Sequence, residues 1–344
     1  MHYFYIMLTE MGSYMNKQLI CGDIGGTKTL LRTTSFNDGK ILEYTERCYD
    51  SAAYSSFTDM LKDFLDTAGI HNHPSTACFA VAGPIVAQRV KLTNLPWFID
   101  ASDIATKFLI SSVILINDFE ATAQAIETLP ESDRITLQAG KPQAQAMCVV
   151  LGAGTGMGVA WLICQGGHYV SLSTEAGHMD FAPTNKLQIG LLEYLQNKFG
   201  HVSVERVLSG SGLTHIFNFL QIHPDILFKP PQISLDEDSG AAISELAFKQ
   251  KHAIAIRSLD LFAEIYGAYA GNLALAGLCR GGVYIAGGIA PKIIDTLKAG
   301  NFIHAFRNKG RFTTMMNEIP IQVITNPKVS LLGAEQIALC LLDS

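Results

Sequence analysis

The chain has 344 residues, with 25 basic and 31 acidic residues, a net charge of −6 and 48% hydrophobic residues. A chain of this length is longer than one that usually folds around a single hydrophobic core, so we expect two domains. The absence of a basic run argues against a nucleic-acid partner. The uncharged helical stretch 265–279 is too short to span a membrane, so no membrane partner is expected either.

The seven cysteines are scattered and form no C-x-x-C motif. A structural zinc site is therefore not expected. An odd number of cysteines without framework spacing is typical of a reducing compartment, and we expect a cytoplasmic protein. Residues 1–18 carry no basic region of the signal-peptide kind, so we interpret them as an N-terminal extension.

The first predicted hairpin contains a glycine-rich turn, Gly22-Asp23-Ile24-Gly25-Gly26-Thr27-Lys28-Thr29, between two apolar runs. Its bare N–H groups can bind phosphate oxygens, because glycine lets the backbone approach closely and adopt a positive φ. An ordinary hairpin turn is the alternative. The segment does not match a P-loop, because the spacing differs from that motif by one residue and the residues that follow have strand character.

The next elements alternate between helix and strand. Apolar spacing over 54–67 predicts an amphipathic helix, and 76–81 and 113–116 read as buried strands. Residues 119–128 read as the following helix. Strands followed by helices after an opening meander indicate an α/β protein with a mixed sheet.

Asp118 follows the strand at 113–116 and precedes a helix. Ligands of α/β sheets collect at the carboxyl ends of strands, so a catalytic carboxylate fits this place. The functional interpretation is a general base, favoured in its charged form by the helix N-terminus. The alternative is a helix N-cap, a position for which Asp is also preferred.

A second glycine-rich turn, Gly152-Ala153-Gly154-Thr155-Gly156-Met157-Gly158, again separates two apolar strand-like runs. It lacks the third glycine of the dinucleotide fingerprint, because Met157 occupies that position. The repetition predicts a duplicated nucleotide-binding unit with one phosphate hairpin from each half of the protein.

Two acidic segments follow. The stretch 174–183 contains Glu175 and His178, which suit hydrogen bonding to vicinal sugar hydroxyls; a solvated turn and a weakly supported metal site are the alternatives. Ser203 followed by the acidic Glu205 indicates the start of a helix. A glutamate is common at that position, so Glu205 carries no functional signal by itself.

The remaining pattern predicts three strands between 147 and 172, helices at 187–199 and 210–222, and a surface loop at 223–240. A long helical region at about 241–279 comes next. A strand at 283–286 enters Gly287-Gly288, and a last strand at 321–324 leads to a terminal helix beginning near Ser330.

Together these segments resemble the bacterial glucokinase family. The matching stretches occur in order from residue 19 to the C-terminus: 22–27, 116–119, 152–160, 175–183, 200–210, 271–275 and 285–289. The resemblance implies two ribonuclease H-like domains of the actin/hexokinase type, with mixed sheets flanking a deep cleft. It implies a small domain of 19–128 with 327–344 and a large domain of 129–326.

The resemblance also implies the activity: transfer of the γ-phosphoryl group of ATP to the 6-hydroxyl of D-glucose, the first step of glycolysis. Asp118 corresponds to the catalytic base. The other implied glucose ligands are Asn94, Asn117, Glu175, His178 and Glu205. Asp23 corresponds to an outer-sphere Mg²⁺ residue, and a homodimer is expected.

The same resemblance assigns the nucleotide contacts to the glycine-rich turns. The first hairpin contributes Gly22, Asp23, Gly25, Gly26 and Thr27; the second contributes Gly154, Thr155 and Gly156; and Gly287 and Gly288 form the adenosine-side turn. Two rival classes are a sugar-binding regulator without turnover and an ATPase acting on a protein partner. Glucose-dependence of ATP consumption separates all three.

Overall fold

The computed structural model describes residues 17–37, 40–68, 74–92, 95–223, 232–236 and 239–342. Asn94 and residues 1–16 of the expected extension lie outside these ranges. The chain divides into two compact units, Met1–Thr128 with Lys328–Ser344 (unit 1) and Leu129–Pro327 (unit 2).

The elements alternate in type along the chain, which confirms the mixed α/β class. The strands are β1 (Lys17–Ile24), β2 (Lys28–Asn37), β3 (Lys40–Asp50), β4 (Thr76–Val81), β5 (Arg89–Lys91), β6 (Phe98–Asp100), β7 (Ser112–Asn117), β8 (Arg134–Gln138), β9 (Cys148–Ala153), β10 (Met157–Gln165), β11 (His168–Thr174), β12 (Gly282–Ala286) and β13 (Ile321–Ile324). The α-helices are α1 (Phe57–Thr67), α2 (Ala101–Phe108), α3 (Asp118–Gln124), α4 (Lys186–Phe199), α5 (Gly210–Ile222), α6 (Gly240–Phe248), α7 (Ala253–Ala276), α8 (Ile294–Lys298), α9 (Asn301–Arg307), α10 (Thr313–Glu318) and α11 (Val329–Cys340).

Unit 1 is built on a five-stranded sheet of order β3-β2-β1-β4-β7. The strands β1, β2 and β3 form an antiparallel meander, and β4 and β7 run parallel to β1. Successive side chains of β1 point to opposite faces, so Ile20 and Ile24 pack in one core while Leu19 and Cys21 pack in another. The predicted amphipathic helix α1 covers the first core.

The C-terminal helix α11 covers the second core and is joined to the sheet by a partly buried ion-pair network. Glu335 accepts hydrogen bonds from Arg32 at 2.8 Å and from the Thr34 hydroxyl at 2.6 Å. Glu46 on β3 binds the same Arg32 at 2.7 Å. This network fixes α11, and therefore Ser330 near its start, against β2 and β3.

Unit 2 is built on a six-stranded sheet of order β11-β10-β9-β12-β13-β8. The strands β9, β10 and β11 are an antiparallel meander, β12 and β13 run parallel to β9, and β8 adds an antiparallel edge. Leaving β8 aside, the first five strands of this sheet have the same order and directions as the sheet of unit 1. The core of unit 2 lies mainly between this sheet and the apolar helices α5 and α7.

Two local predictions are wrong. The long helical region at 241–279 is two helices, α6 and α7, because Lys251 adopts a left-handed φ of 53° and His252 caps α7 by accepting from the Ala255 amide. Ser203 precedes only a single 3-10 turn at 204–206 and makes no side-chain cap. The α-helix begins after Ser209, whose hydroxyl accepts from the Gly212 amide at 3.0 Å.

Candidate active site

The first glycine-rich turn connects β1 and β2 in unit 1, and a serine outside the turn fixes its shape. The Gly25 amide donates to the Lys28 carbonyl at 3.0 Å. The Ser51 hydroxyl donates to the Gly25 carbonyl at 2.8 Å and lies 2.9 Å from the Thr29 hydroxyl. The Ser51 amide donates to the Thr27 carbonyl at 3.0 Å. Ser51 is fully buried, and sequence reasoning missed it because a lone serine after a strand carries no signal.

Within this turn the predicted nucleotide residues have different surroundings. Thr27 is exposed, and Gly25 and Gly26 are half-buried, so their backbone can be reached by a ligand. Gly22 instead lies inside β1, where an added Cβ would stand 2.8 Å from Leu31 and 2.9 Å from Phe79. Gly22 is therefore explained by core packing.

Asp23 lies next to the end of β1, between Leu30 of β2 and Ala80 of β4. Burial raises the pKa of its carboxyl group to about 6, and a hydrogen bond of 3.2 Å from the Ser330 hydroxyl opposes this shift. Burial disfavours the charged form of a carboxylate, so a nearby divalent cation would stabilise that form. The oxygen chemistry of Asp23 therefore fits Mg²⁺.

Asn117 and Asp118 end β7 at the same edge of the sheet. Val81 pairs with both Ile24 and Asn117, so the carboxyl ends of β1, β4 and β7 are in register. Asn117 caps α3, its Oδ1 accepting from the Phe119 amide at 2.9 Å and the Glu120 amide at 3.3 Å. The N-cap that the sequence offered as the alternative role of Asp118 is therefore Asn117. Asp118 is the first helical residue and is half-buried.

The second glycine-rich turn connects β9 and β10 in unit 2, and backbone groups from distant segments hold it. The Gly154 amide donates to the Gly156 carbonyl at 2.8 Å, and the Gly154 carbonyl accepts from the Gly210 amide at 2.9 Å. Gly154 and Gly156 are half-buried and Thr155 is exposed, so the tip is open to a ligand.

The predicted adenosine-side turn lies directly against this second hairpin. The Ile289 amide donates to the Ala153 carbonyl at 3.2 Å. Gly287 has a φ of 79°, and an added Cβ there would stand 2.5 Å from the Ala153 carbonyl oxygen. Gly288 is exposed beside it. A positive φ, expected in the two hairpins, is found instead at Gly287, and none of the hairpin glycines adopts one.

Glu175 and His178 lie on a 3-10 turn after β11. The Glu175 carboxylate is 3.9 Å from His178 Nε2, and both side chains are 62% exposed, so both are available to a polar ligand. Between them, an added Cβ at Gly177 would stand 1.9 Å from the Met157 carbonyl oxygen. Only glycine lets this segment, 174–178 (the sugar loop), pass so close to the second hairpin.

Backbone pairing brings Glu205 beside the sugar loop. Asp180 pairs with Ser203 in an antiparallel bridge, and the Val204 amide donates to the Met179 carbonyl at 2.8 Å. The 3-10 turns that carry His178 and Glu205 therefore contact each other. Glu205 is half-buried, and its Oε2 accepts from the Met157 amide at 2.9 Å.

Unit 2 thus brings together the sugar loop, Glu205, the second hairpin and the 287–288 turn. Unit 1 brings together the first hairpin, Asp23 and the Asn117-Asp118 pair. Within the described ranges, no cluster of three or more His, Cys, Asp or Glu side chains has the arrangement of a metal site. None of the helices in the described part of the chain combines the length and apolar character that a bilayer crossing requires.

Sequence comparison identifies the family. The family model described as Glucokinase matches residues 20–340. The chain belongs to the glucokinase family. The glucokinase of Trichormus variabilis is 43% identical over 338 residues, covering 94% of this chain and 98% of that protein. The glucokinase of Synechocystis is 38% identical over 345 residues, covering 93% of this chain and 97% of that protein.

Solved structures of glucokinases share the fold. The crystal structure of a glucokinase from an Antarctic psychrotroph has a TM-score of 0.82 and 30% identity, covering 95% of this chain and all of that one (100%). The glucokinase of Balamuthia mandrillaris, solved in complex with glucose, has a TM-score of 0.74 and 21% identity over 98% of this chain and 99% of its own. The second likeness supports the fold alone.

Proposed function

We propose that this member of the glucokinase family transfers the γ-phosphoryl group of ATP to the 6-hydroxyl of D-glucose, giving glucose 6-phosphate and ADP. The observation that carries the proposal is the hydrogen bond between Glu205 and the Met157 amide. It joins a carboxylate suited to sugar hydroxyls to a hairpin suited to phosphates. A sugar kinase must align a sugar hydroxyl with the triphosphate, and a direct contact between the two binding segments serves that alignment.

We further propose that units 1 and 2 are the two ribonuclease H-like domains of this family, 19–128 with 327–344 and 129–326. Support comes from the shared order of five strands in the two sheets. Glucose would lie in a cleft between the domains, and their closure around it would exclude water and limit wasteful ATP hydrolysis.

Asp118 is the proposed general base. Its carboxylate takes the proton from the 6-hydroxyl as the bond between that oxygen and the γ-phosphorus forms. The bond from the γ-phosphorus to the β,γ-bridging oxygen breaks, and ADP leaves. Asn117 Oδ1 already caps α3, which leaves the amide nitrogen of Asn117 to donate to a sugar hydroxyl.

Three further proposed sugar contacts come from unit 2. Glu175 and Glu205 accept hydrogen bonds from vicinal hydroxyls, and His178 contributes a ring nitrogen. Asn94 completes the proposed set. These groups hold glucose in one orientation, so that its 6-hydroxyl and not another meets the phosphate.

The open tips of the two hairpins bind the triphosphate through their N–H groups, and the 287–288 turn lies on the adenosine side. Bound Mg²⁺ would neutralise phosphate charge, held through water by Asp23. Since the reaction consumes ATP, we propose a cytoplasmic enzyme, and from the resemblance a homodimer, which light scattering of the purified protein would test.

The test is a coupled assay of ADP release with Mg·ATP, with and without D-glucose, on the wild type and Asp118→Asn. Glucose-stimulated turnover that disappears in the variant is the expected result. Glucose-independent hydrolysis would indicate an ATPase, and glucose binding without ADP release would indicate a regulator. Running mannose and glucosamine in parallel would set the selectivity.

A further inference from the structure

Two tyrosines on α7 reach the two functional loops of unit 2. The Tyr266 hydroxyl accepts a hydrogen bond from the Ala153 amide at 3.2 Å. The Tyr269 hydroxyl donates one to the Ala176 carbonyl at 2.7 Å. The two side chains lie three residues apart on one helix face and are 0% and 6% exposed.

The peptide groups they contact lie inside the proposed site. Ala153 directly precedes Gly154 of the second hairpin, and Ala176 lies between Glu175 and Gly177 of the sugar loop. Neither tyrosine belongs to a glycine-rich or acidic motif, and the proposed mechanism does not use either.

The helix that carries them is a firm support. An added Cβ at Gly267 would stand 2.0 Å from the Phe302 carbonyl oxygen, so α7 and α9 pack backbone to backbone there. The Tyr266 ring meets Phe262 and Phe302 edge to face at 5.9 and 5.7 Å. Burial raises the pKa of both tyrosines, so both hydroxyls stay protonated at neutral pH.

We infer that Tyr269 and Tyr266 are positioning residues, Tyr269 for the sugar loop through Ala176 and Tyr266 for the phosphate hairpin through Ala153. The inference rests on the proposed function of those loops. One helix thereby helps to set the positions of both substrates, contributing one hydroxyl to each loop. Loss of either hydroxyl should therefore weaken mainly the binding of the ligand whose loop that hydroxyl contacts.

The experiment measures equilibrium dissociation constants by calorimetry, for D-glucose and for a non-hydrolysable ATP analogue with Mg²⁺. Tyr269→Phe is expected to weaken glucose about threefold to tenfold, as the loss of one buried hydrogen bond predicts, while the analogue changes less than about twofold. Tyr266→Phe is expected to give the reverse pattern. Phenylalanine keeps the ring packing, so both variants should fold.

Tyr169→Phe is the matched control. Tyr169 also donates a hydrogen bond to a backbone carbonyl, that of Ala146, at 2.8 Å. Ala146 lies beyond the opposite end of β9 from Ala153. This variant should bind both ligands as the wild type does, while losing a comparable amount of thermal stability.

If the two tyrosines only stabilised the fold, Tyr269→Phe would not weaken glucose selectively and Tyr266→Phe would not weaken the ATP analogue selectively. Equal weakening of both ligands by either variant, or no weakening beyond that of Tyr169→Phe, would overturn the inference. Wild-type ADP release with glucose is measured alongside. Glucose binding without turnover would overturn the proposed reaction but not the positioning roles, whereas a wild type that binds no glucose would overturn both.

Discussion

The two glycine-rich hairpins start from the same strand order but are supported differently. In unit 1 the hairpin at 25–27 is bonded to one buried residue beyond the two strands, Ser51, through the hydroxyl and the backbone amide of that residue. In unit 2 the hairpin at 154–156, with its flanking residues Ala153 and Met157, is held by the backbone amides of two other segments, those of Gly210 and Ile289, and by Glu205. The same motif can therefore be a local turn in one place and the centre of a network in another.

This difference corresponds to a division of the proposed chemistry. The groups that handle the proton and the phosphate charge, Asp118 and Asp23, lie at one sheet edge of unit 1. Three of the proposed sugar ligands, Glu175, His178 and Glu205, lie in unit 2, where Glu205 is hydrogen-bonded to the second hairpin. Changes at Asp118 are therefore expected to lower turnover, and changes among the sugar loop, Glu205 and the second hairpin (the network of unit 2) to lower substrate affinity.

Asp118→Asn should produce the largest effect. It keeps the size of the side chain but cannot take the proton, so kcat is expected to fall about 10²–10⁴-fold while the Kd for glucose changes little. Steady-state kinetics and calorimetry on the same preparation would check both values. If kcat stayed within about threefold of the wild type, Asp118 would not be the general base.

Asp103→Asn serves as the matched control for that variant. Asp103 is also an acid in the first turn of a helix of unit 1, but it is exposed on α2 and contributes nothing to the proposed site. Its kcat should equal that of the wild type. A comparable loss in Asp103→Asn would mean that a general change of charge, and not proton transfer, explains the effect.

Gly177→Ala should damage the network of unit 2. The new methyl group would meet the Met157 carbonyl oxygen at 1.9 Å, so the sugar loop and the second hairpin must separate. We expect kcat/KM for glucose to fall roughly 10–100-fold, mainly through KM, because misplaced ligands cost about that much.

Gly190→Ala tests whether the cost at Gly177 is specific to that contact. Gly190 lies inside α4, and an added Cβ would meet only ordinary contacts, the nearest at 3.4 Å from Phe219. Since alanine favours a helix, this variant should keep its activity and lose no stability. Equal losses in the two variants would contradict the proposed network.

Most of the strands and the residues of the candidate site follow from the sequence. The strands at 76–81 and 321–324 were predicted to the residue because uninterrupted apolar runs bounded by turns have few alternatives. The family motifs identified Glu175, His178 and Glu205. The sequence pattern offered the N-cap of α3 to Asp118, whereas Asn117 holds it, because both residue types cap helices and the pattern does not fix the first helical residue.

The supports of the site could not be predicted. Ser51, Tyr266 and Tyr269 act through contacts that are 26, 113 and 93 residues distant in the chain. A serine or a tyrosine at such a distance has no periodicity or spacing that points to its partner. The break between α6 and α7 was also missed, since it depends on a left-handed Lys251 rather than on Gly or Pro.

Asp23→Asn should change how stability depends on pH. Because burial raises the folded pKa of Asp23 to about 6 from 3.8, the folded state binds the extra proton between these values. This contribution to stability is complete below about pH 4 and is lost as the pH rises through about 6. Asp23→Asn should therefore reduce the loss of unfolding free energy between pH 4.5 and 7 by roughly 1–3 kcal/mol.

Denaturant unfolding of the ligand-free protein at both pH values would measure this difference, with Asp103→Asn as the exposed control. An unchanged pH dependence in Asp23→Asn would show that Asp23 titrates normally in the folded protein. The raised pKa of Asp23 would then no longer support the binding of a cation beside this carboxylate.

Ser51→Ala should have the smallest effect and bears most directly on the contrast between the hairpins. It removes the hydrogen bonds to the Gly25 carbonyl and to Thr29 while leaving the strands paired. The net loss of roughly 1 kcal/mol that we expect from these bonds corresponds to about a fivefold rise in KM for ATP, with KM for glucose unchanged. Ser55→Ala, which removes an exposed hydroxyl near α1, is the control. If Ser51→Ala left KM for ATP at the wild-type value, the strand pairing alone would be enough to shape the first hairpin. The two hairpins would then differ in the number of their contacts but not in how firmly they are held.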